Sequence, residues 1–180
     1  MAVTTTAFPL GGAETGTRET TRASFRASMA EGARAMLPIV VGVAPFGMVI
    51  GVTAAAGPTS DLVGWATSWT IYAGSAQLAA IELLDAGATV PVIVGVTLLI
   101  NLRVALYSAD LAPHWRGTGR GWKVLASYLI VDPSYAVGQE GYARHGATVT
   151  GHAYYLGAAL ALWVGWQIEV AIGHEDAIQP

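Results

Sequence analysis

Charged side chains vanish from three long windows of this chain. None of Asp, Glu, Lys or Arg occurs from Ala35 to Ser60, from Leu62 to Ile81, or from Ala86 to Leu102. About 20 mostly apolar residues in a helix cross the hydrocarbon core of a bilayer. A helix that is apolar all round belongs in a membrane or deep inside a much larger protein. The pattern therefore predicts an all-α, polytopic transmembrane helix bundle. It has about five hydrophobic segments, near 35–56, 62–84, 90–109, 122–140 and 153–172, some of them broken or re-entrant.

Each segment carries its own irregularity. The first holds Pro45, which removes a backbone donor and predicts a kink, and Gly47 and Gly51, a small-residue face suited to close helix contact. The second is less apolar than the first, with Tyr72-Ala73-Gly74-Ser75-Ala76-Gln77 at its centre. The third places Asn101 and Arg103 well inside. Arg103 lies about 18 Å along the helix from Pro91 at 1.5 Å per residue. Arginine at depth is costly, and snorkelling to the interface is the plain alternative. The fourth is interrupted by Asp132-Pro133, a good helix start with Asp as cap and Pro in the first turn. A helix that begins inside a membrane points a partly positive N-terminus inward, as substrate sites of transporters do. The fifth repeats Gly157, Ala161 and Gly165 at every fourth position, a second close-contact stripe.

Composition agrees: 53% of the residues are hydrophobic and 12% charged, against about 25% charged in a soluble domain. There are no cysteines, which excludes disulfides and thiol chemistry. No basic block tracks phosphates, so nucleic acid is not an expected partner. Residues 1–33 are expected to be a disordered, Arg-containing cytoplasmic tail, 34–173 the membrane domain, and 174–180 a short acidic tail. The basic loop around Arg116, Arg120 and Lys123 should also be cytoplasmic. Three full crossings would put it on the wrong side; a re-entrant hairpin over 62–84 restores agreement. The tryptophans read as interface anchors, and the four histidines show no ligand spacing, so no metal site is expected. No H-E-x-x-H, G-x-S-x-G or P-loop is present, and an enzyme is not expected.

Gly42-x-x-Pro45-Phe46-Gly47, Tyr72-Ala73-Gly74-Ser75-Ala76-Gln77, Asn101-Leu102-Arg103 with Leu106-Tyr107, Asp132-x-x-Tyr135 and Tyr154-Tyr155-Leu156-Gly157 occur in that order. Together they resemble the AzlC family, the large subunits of branched-chain amino-acid exporters. Family members usually continue further, so the resemblance implies a C-terminally short member. It also implies a multi-pass protein of the cell membrane that exports branched-chain or other small apolar amino acids. Proton coupling and a small AzlD-like membrane partner are part of that expectation, and no cofactor is. Arg103 is the candidate for the substrate carboxylate, with the half-helix start at Pro133 as an alternative. Groups near Pro45, Ser75, Gln77 and Asn101 are candidates for the ammonium, Phe46, Tyr72 and Tyr107 for the pocket wall, and Gly74 joins them in the candidate substrate-binding set. Asp132 is the candidate proton carrier. The plain alternative is that Arg103 and Asp132 pair only to hold the bundle. A channel, or a membrane subunit that does not itself transport, remains the other reading of the whole chain.

Overall fold

The computed structural model describes residues 12–57 and 61–178, and among these the chain is helical with no strand. Helix α1 spans Gly12–Ala56 and α8 spans Val149–Ile178. Between them lie α2 (Asp61–Thr70), α3 (Gly74–Asp85), α4 (Val90–Ile100), α5 (Leu102–Leu111), a single 3-10 turn, α6 (Arg120–Tyr128) and α7 (Asp132–His145). Within α1 and α8, Thr20–Ala56 and Val149–Ala177 are each long and apolar enough to cross a membrane; α4 with α5, bent by 43° at Asn101, makes a third candidate. The five expected segments are thus not five spans. The second and fourth are each two short helices separated by a few non-helical residues.

The expected tail at 1–33 needs correction where it is described: α1 already runs from Gly12, and the first eleven residues lie outside the described part. Residues 23–36 are rich in Ala, Arg, Glu and Met, good helix formers. Docking against α8 and α7 holds this stretch. A Cβ on Gly157 would collide with the Met29 carbonyl, one on Gly32 with that of Tyr154, and Glu31 pairs with Arg144 at 3.4 Å. Helix α1 passes through Pro38 and Pro45 without a break.

Helices α1 and α8 run side by side in the same direction. Met29 meets Gly157, Val40 meets Gly165, Gly47 meets Glu169 and Met48 meets Gly173. Gly47, Gly51, Gly157 and Gly165 all lie in this contact, as the small-residue stripes predict; Ala161 sits at its margin, half-buried. With no hydrophobic force between helices in lipid, such close backbone approach is what holds two spans together.

The paired short helices fold as hairpins that enter the bundle from opposite ends. At the end marked by Glu31, Trp122 of α6 packs on His152 and His145 of α7 lies 3.6 Å from Glu31. Helix α6 descends along α8, with Tyr155 donating to the Ala126 carbonyl and Trp163 to the Tyr128 hydroxyl. Helix α7 climbs back, with Gly138 against Tyr155 and Gly141 against Tyr154. At the other end, Gly64 of α2 touches Ala54, and Asp85 at the end of α3 touches Gly57. Ser68 and Gln77 mark the way in and out, against Gln167 and Trp166 of α8. Helices α4 and α5 lead from one end to the other. Residues Val90, Val92, Leu98, Leu99, Leu102 and Leu106 on this pair are exposed, the pattern of a lipid-facing surface.

Candidate functional site

The tips of the two hairpins meet in the middle of the bundle, and a cavity of about 270 Å³ opens where they meet. The α2–α3 tip contributes Tyr72, Ala73, Gly74 and Ser75; the α6–α7 tip contributes Val131, Asp132 and Pro133. Phe46 and Val43 come from α1, Leu162 and Trp166 from α8, and Arg103 from α5. Most of the lining is apolar, and the polar groups converge on one side.

Arg103 joins the two tips. Its Nη1 lies 3.0 Å from Asp132 Oδ2, and its Nη2 donates to Ser75 Oγ at 3.0 Å. The break at Asn101 makes this possible: it turns α5 by 43° relative to α4, and Arg103 sits two residues beyond the bend. The guanidinium therefore turns toward the two hairpin tips. Asp132 also accepts from Tyr107 at 2.7 Å. Tyr107 stacks on Tyr135, with ring centroids 4.3 Å apart, and Tyr135 donates to Asp110 at 2.8 Å, where Gln139 also binds. The ion pair is only part-buried, with 38% of the Arg103 side chain and 46% of Asp132 exposed, so a solute can reach both charges.

Asp132 does not cap its own helix. Ser134 does so: its Oγ accepts from the Val131 amide at 2.9 Å and donates to the Leu129 carbonyl at 2.6 Å. The carboxylate is thereby free to face Arg103. Both α3 and α7 begin at the cavity. The first amides of a helix lack intrahelical acceptors and carry partial positive charge. Two helix starts and a guanidinium around one cavity form a setting for an anionic group. Asp132 supplies the acceptor for a cationic one.

The opposite wall is aromatic. Phe46 and Trp166 lie 6.0 Å apart, tilted by 59°. They close over Gly74, where an added Cβ would be 2.5 Å from Phe46 and 2.8 Å from Trp166. A side chain at position 74 would fill the cavity from below.

Of the residues singled out by sequence, Phe46, Tyr72, Gly74, Ser75, Arg103 and Asp132 line this cavity. Pro45 does not; it is exposed on the outer side of α1. Gln77 lies in a buried network between Thr67 and Trp166, at 3.1 and 3.2 Å. Asn101 borders an adjoining cavity that shares Tyr72 and Ala73, and Tyr107 acts on the site through Asp132. Trp166 was missed. It belongs to a residue type expected at membrane interfaces, yet it is buried, as is Trp115, which donates to Tyr142 at 2.7 Å.

Residues 38–175 match a family model described as AzlC protein. Neither a curated protein nor a solved structure matches the chain.

Proposed function

The chain belongs to the AzlC family, a family of membrane transport proteins, and from that premise we propose that it is a carrier for small amino acids with apolar side chains. The observation that carries the reading is the meeting of Arg103, Asp132 and two helix starts on one apolar-walled cavity. A zwitterion can exchange into the ion pair. Its carboxylate takes Arg103 and the helix-start amides, and its ammonium takes Asp132. The aliphatic side chain then lies against Phe46, Leu162 and Trp166. Drug-sized ligands occupy pockets of about 300–1,000 Å³; a cavity of 270 Å³ suits a smaller solute.

In this reading the protein lies in the cell membrane with its N-terminus cytoplasmic. Three segments cross: α1, the bent α4–α5 pair and α8. The hairpins α2–α3 and α6–α7 dip in from opposite faces and return. The N-terminal arginines and the basic loop at 116–123 then share one side, as the distribution of positive charge requires. The direction is export, coupled to protons, with a small AzlD-like subunit as partner. No chemical transformation of the substrate is part of it.

The test is efflux of preloaded labelled leucine, valine and methionine from cells expressing the chain, with and without that subunit, at two external pH values. Saturable, pH-dependent efflux of one of them is expected. Its absence under every condition, with the protein located in the membrane, removes the carrier reading. Asp132→Asn should then block efflux while the protein remains membrane-inserted. A charge-swapped Arg103→Asp, Asp132→Arg protein separates two roles. Restored folding without efflux assigns the pair to substrate; restored efflux makes it a structural pair.

A further inference from the structure

A second acidic side chain lies at depth and has no part in the site described above. Glu169 sits on α8 inside the candidate span Val149–Ala177, about 12 Å from its end at 1.5 Å per residue. Its residue exposure is 6%, and its Oε2 is fully covered yet has no hydrogen-bond partner. Among the described residues no Lys, Arg or His forms an ion pair with it.

The place for this carboxyl is built by a neighbour. On α1, a Cβ at Gly47 would be 2.7 Å from Glu169 Oε2 and 2.7 Å from its Cβ, so only a glycine leaves room for the side chain to lie flat between the two spans. Gly47 follows Phe46, and Trp166 precedes Glu169 by three residues, one helical turn. Phe46 and Trp166 form the aromatic wall of the cavity. Glu169 therefore lies one helical turn along α8 from the aromatic wall of the cavity.

Its surroundings hold little charge. Helix α1 presents no ionisable residue from Ala35 to Ala56. From the α2–α3 tip the Tyr72 hydroxyl, itself buried, lies within electrostatic reach. Along α8 the next titratable residue is His174. Arg103 and Asp132 stand at the cavity and are engaged with each other at 3.0 Å. An unpaired carboxylate in an apolar interior is costly unless it takes up a proton or meets a cation. Asp132 already has two partners, Arg103 and Tyr107, whereas the covered Oε2 of Glu169 has none.

We propose that Glu169 is the proton-binding group of this carrier, and that protonation and release there, one helical turn from the Phe46–Trp166 wall, couple substrate movement to the proton gradient. The proposal rests on the carrier reading. It leaves to Asp132 the binding of the substrate ammonium and moves the proton step to α8.

The experiment uses the full chain with its small partner in proteoliposomes and labelled leucine, valine or methionine as the probe. Two modes are measured: exchange of labelled for unlabelled amino acid at equal pH on both sides, and accumulation driven by a pH gradient. Glu169→Gln should keep exchange and lose gradient-driven accumulation, and Glu169→Asp should recover part of the accumulation. Gradient-driven accumulation by Glu169→Gln at the wild-type level overturns the proposal. Equal loss of both modes in Glu169→Gln, with no recovery in Glu169→Asp, assigns the side chain to packing and overturns it too. A wild-type protein that exchanges none of the three probes defeats the carrier reading itself, and the proposal falls with it.

Discussion

The break in the α6–α7 hairpin is closed by a side chain that bonds both its sides, whereas the internal tie of the α2–α3 hairpin, Gln77 to Thr67, lies outside its break. In the first, Ser134 bonds the backbone on both sides of the break, at Val131 and Leu129. In the second, the break at Ile71–Ala73 carries no side-chain cap; Tyr72 adopts φ of 38°, and the Tyr128 hydroxyl donates to the Trp69 carbonyl at 2.7 Å. A non-glycine residue held in the left-handed region stores about 1–3 kcal/mol and persists only where its surroundings hold it. One tip is thus a fixed post that presents a charge, and the other a held loop that presents Gly74 and Ser75. Arg103 touches both. In the proposed carrier, movement of the second tip relative to the first would change what Arg103 can reach.

Arg103→Gln is the change with the largest expected effect. It removes the bridge and leaves Asp132 with Tyr107 alone. Both partners are more than a third exposed, so solvent screening holds the pair itself to about 1 kcal/mol or less. The larger effect is the lost charge-assisted bond to substrate, worth about 1.5–3 kcal/mol, so efflux should fall at least about tenfold. The check is initial efflux rate at matched membrane abundance. Wild-type rates would mean that the two tips do not communicate through this side chain.

Much of this arrangement was legible in the residues. The charge-free windows at 35–60 and 86–102 fall in or on candidate spans, the Asp132-Pro133 pair marks the α6–α7 break, and the segment 62–84, expected to be broken, holds the break between α2 and α3. Gly47, Gly51, Gly157 and Gly165 read as close-contact faces, but that the two faces meet each other, α1 on α8, is seen only in the structure. What was not legible depends on which face a residue presents. Pro45 and Phe46 are neighbours in sequence and both exposed, yet only Phe46 lines the cavity. Gln77 reads as a site residue because it is polar and deep, but its bonds run to Thr67 and Trp166, behind the cavity. Tryptophan type alone placed Trp166 at an interface. Only the Gly74 notch, which needs three-dimensional contact to be seen, draws it into the site. The helical state of residues 12–33 escaped for a related reason, since part of what stabilises them, docking on α7 and α8, is distant in sequence.

Ser134→Ala should have the next largest effect, and it tests the fixed tip. It strands the buried bonding groups at Val131 and Leu129, a cost of about 1–3 kcal/mol. The expected result is a lower Tm of the detergent-solubilised protein, with efflux reduced in those molecules that remain folded. An unchanged Tm would show that the break at Asp132 is held by its surroundings, like the other tip, and the contrast between the hairpins would disappear.

Tyr72→Phe should have the smallest effect and addresses the held tip. The Tyr72 hydroxyl is buried without a hydrogen-bond partner, while the ring packs on Tyr128 with centroids 5.9 Å apart. Phenylalanine keeps the ring contact and removes a buried group that was not satisfied. Removing such a group is neutral or stabilising, by at most about 1 kcal/mol, because a buried polar atom without a partner forfeits its bonds to water. Thermal stability should therefore hold or rise slightly. The informative comparison is with efflux. If efflux falls while Tm does not, the hydroxyl gains its partner in the substrate-bound state, and the α2–α3 tip is the part of the site that responds to substrate. If Tm falls instead, the hydroxyl is bonded at rest, and this tip is anchored by a bond as the other is by Ser134.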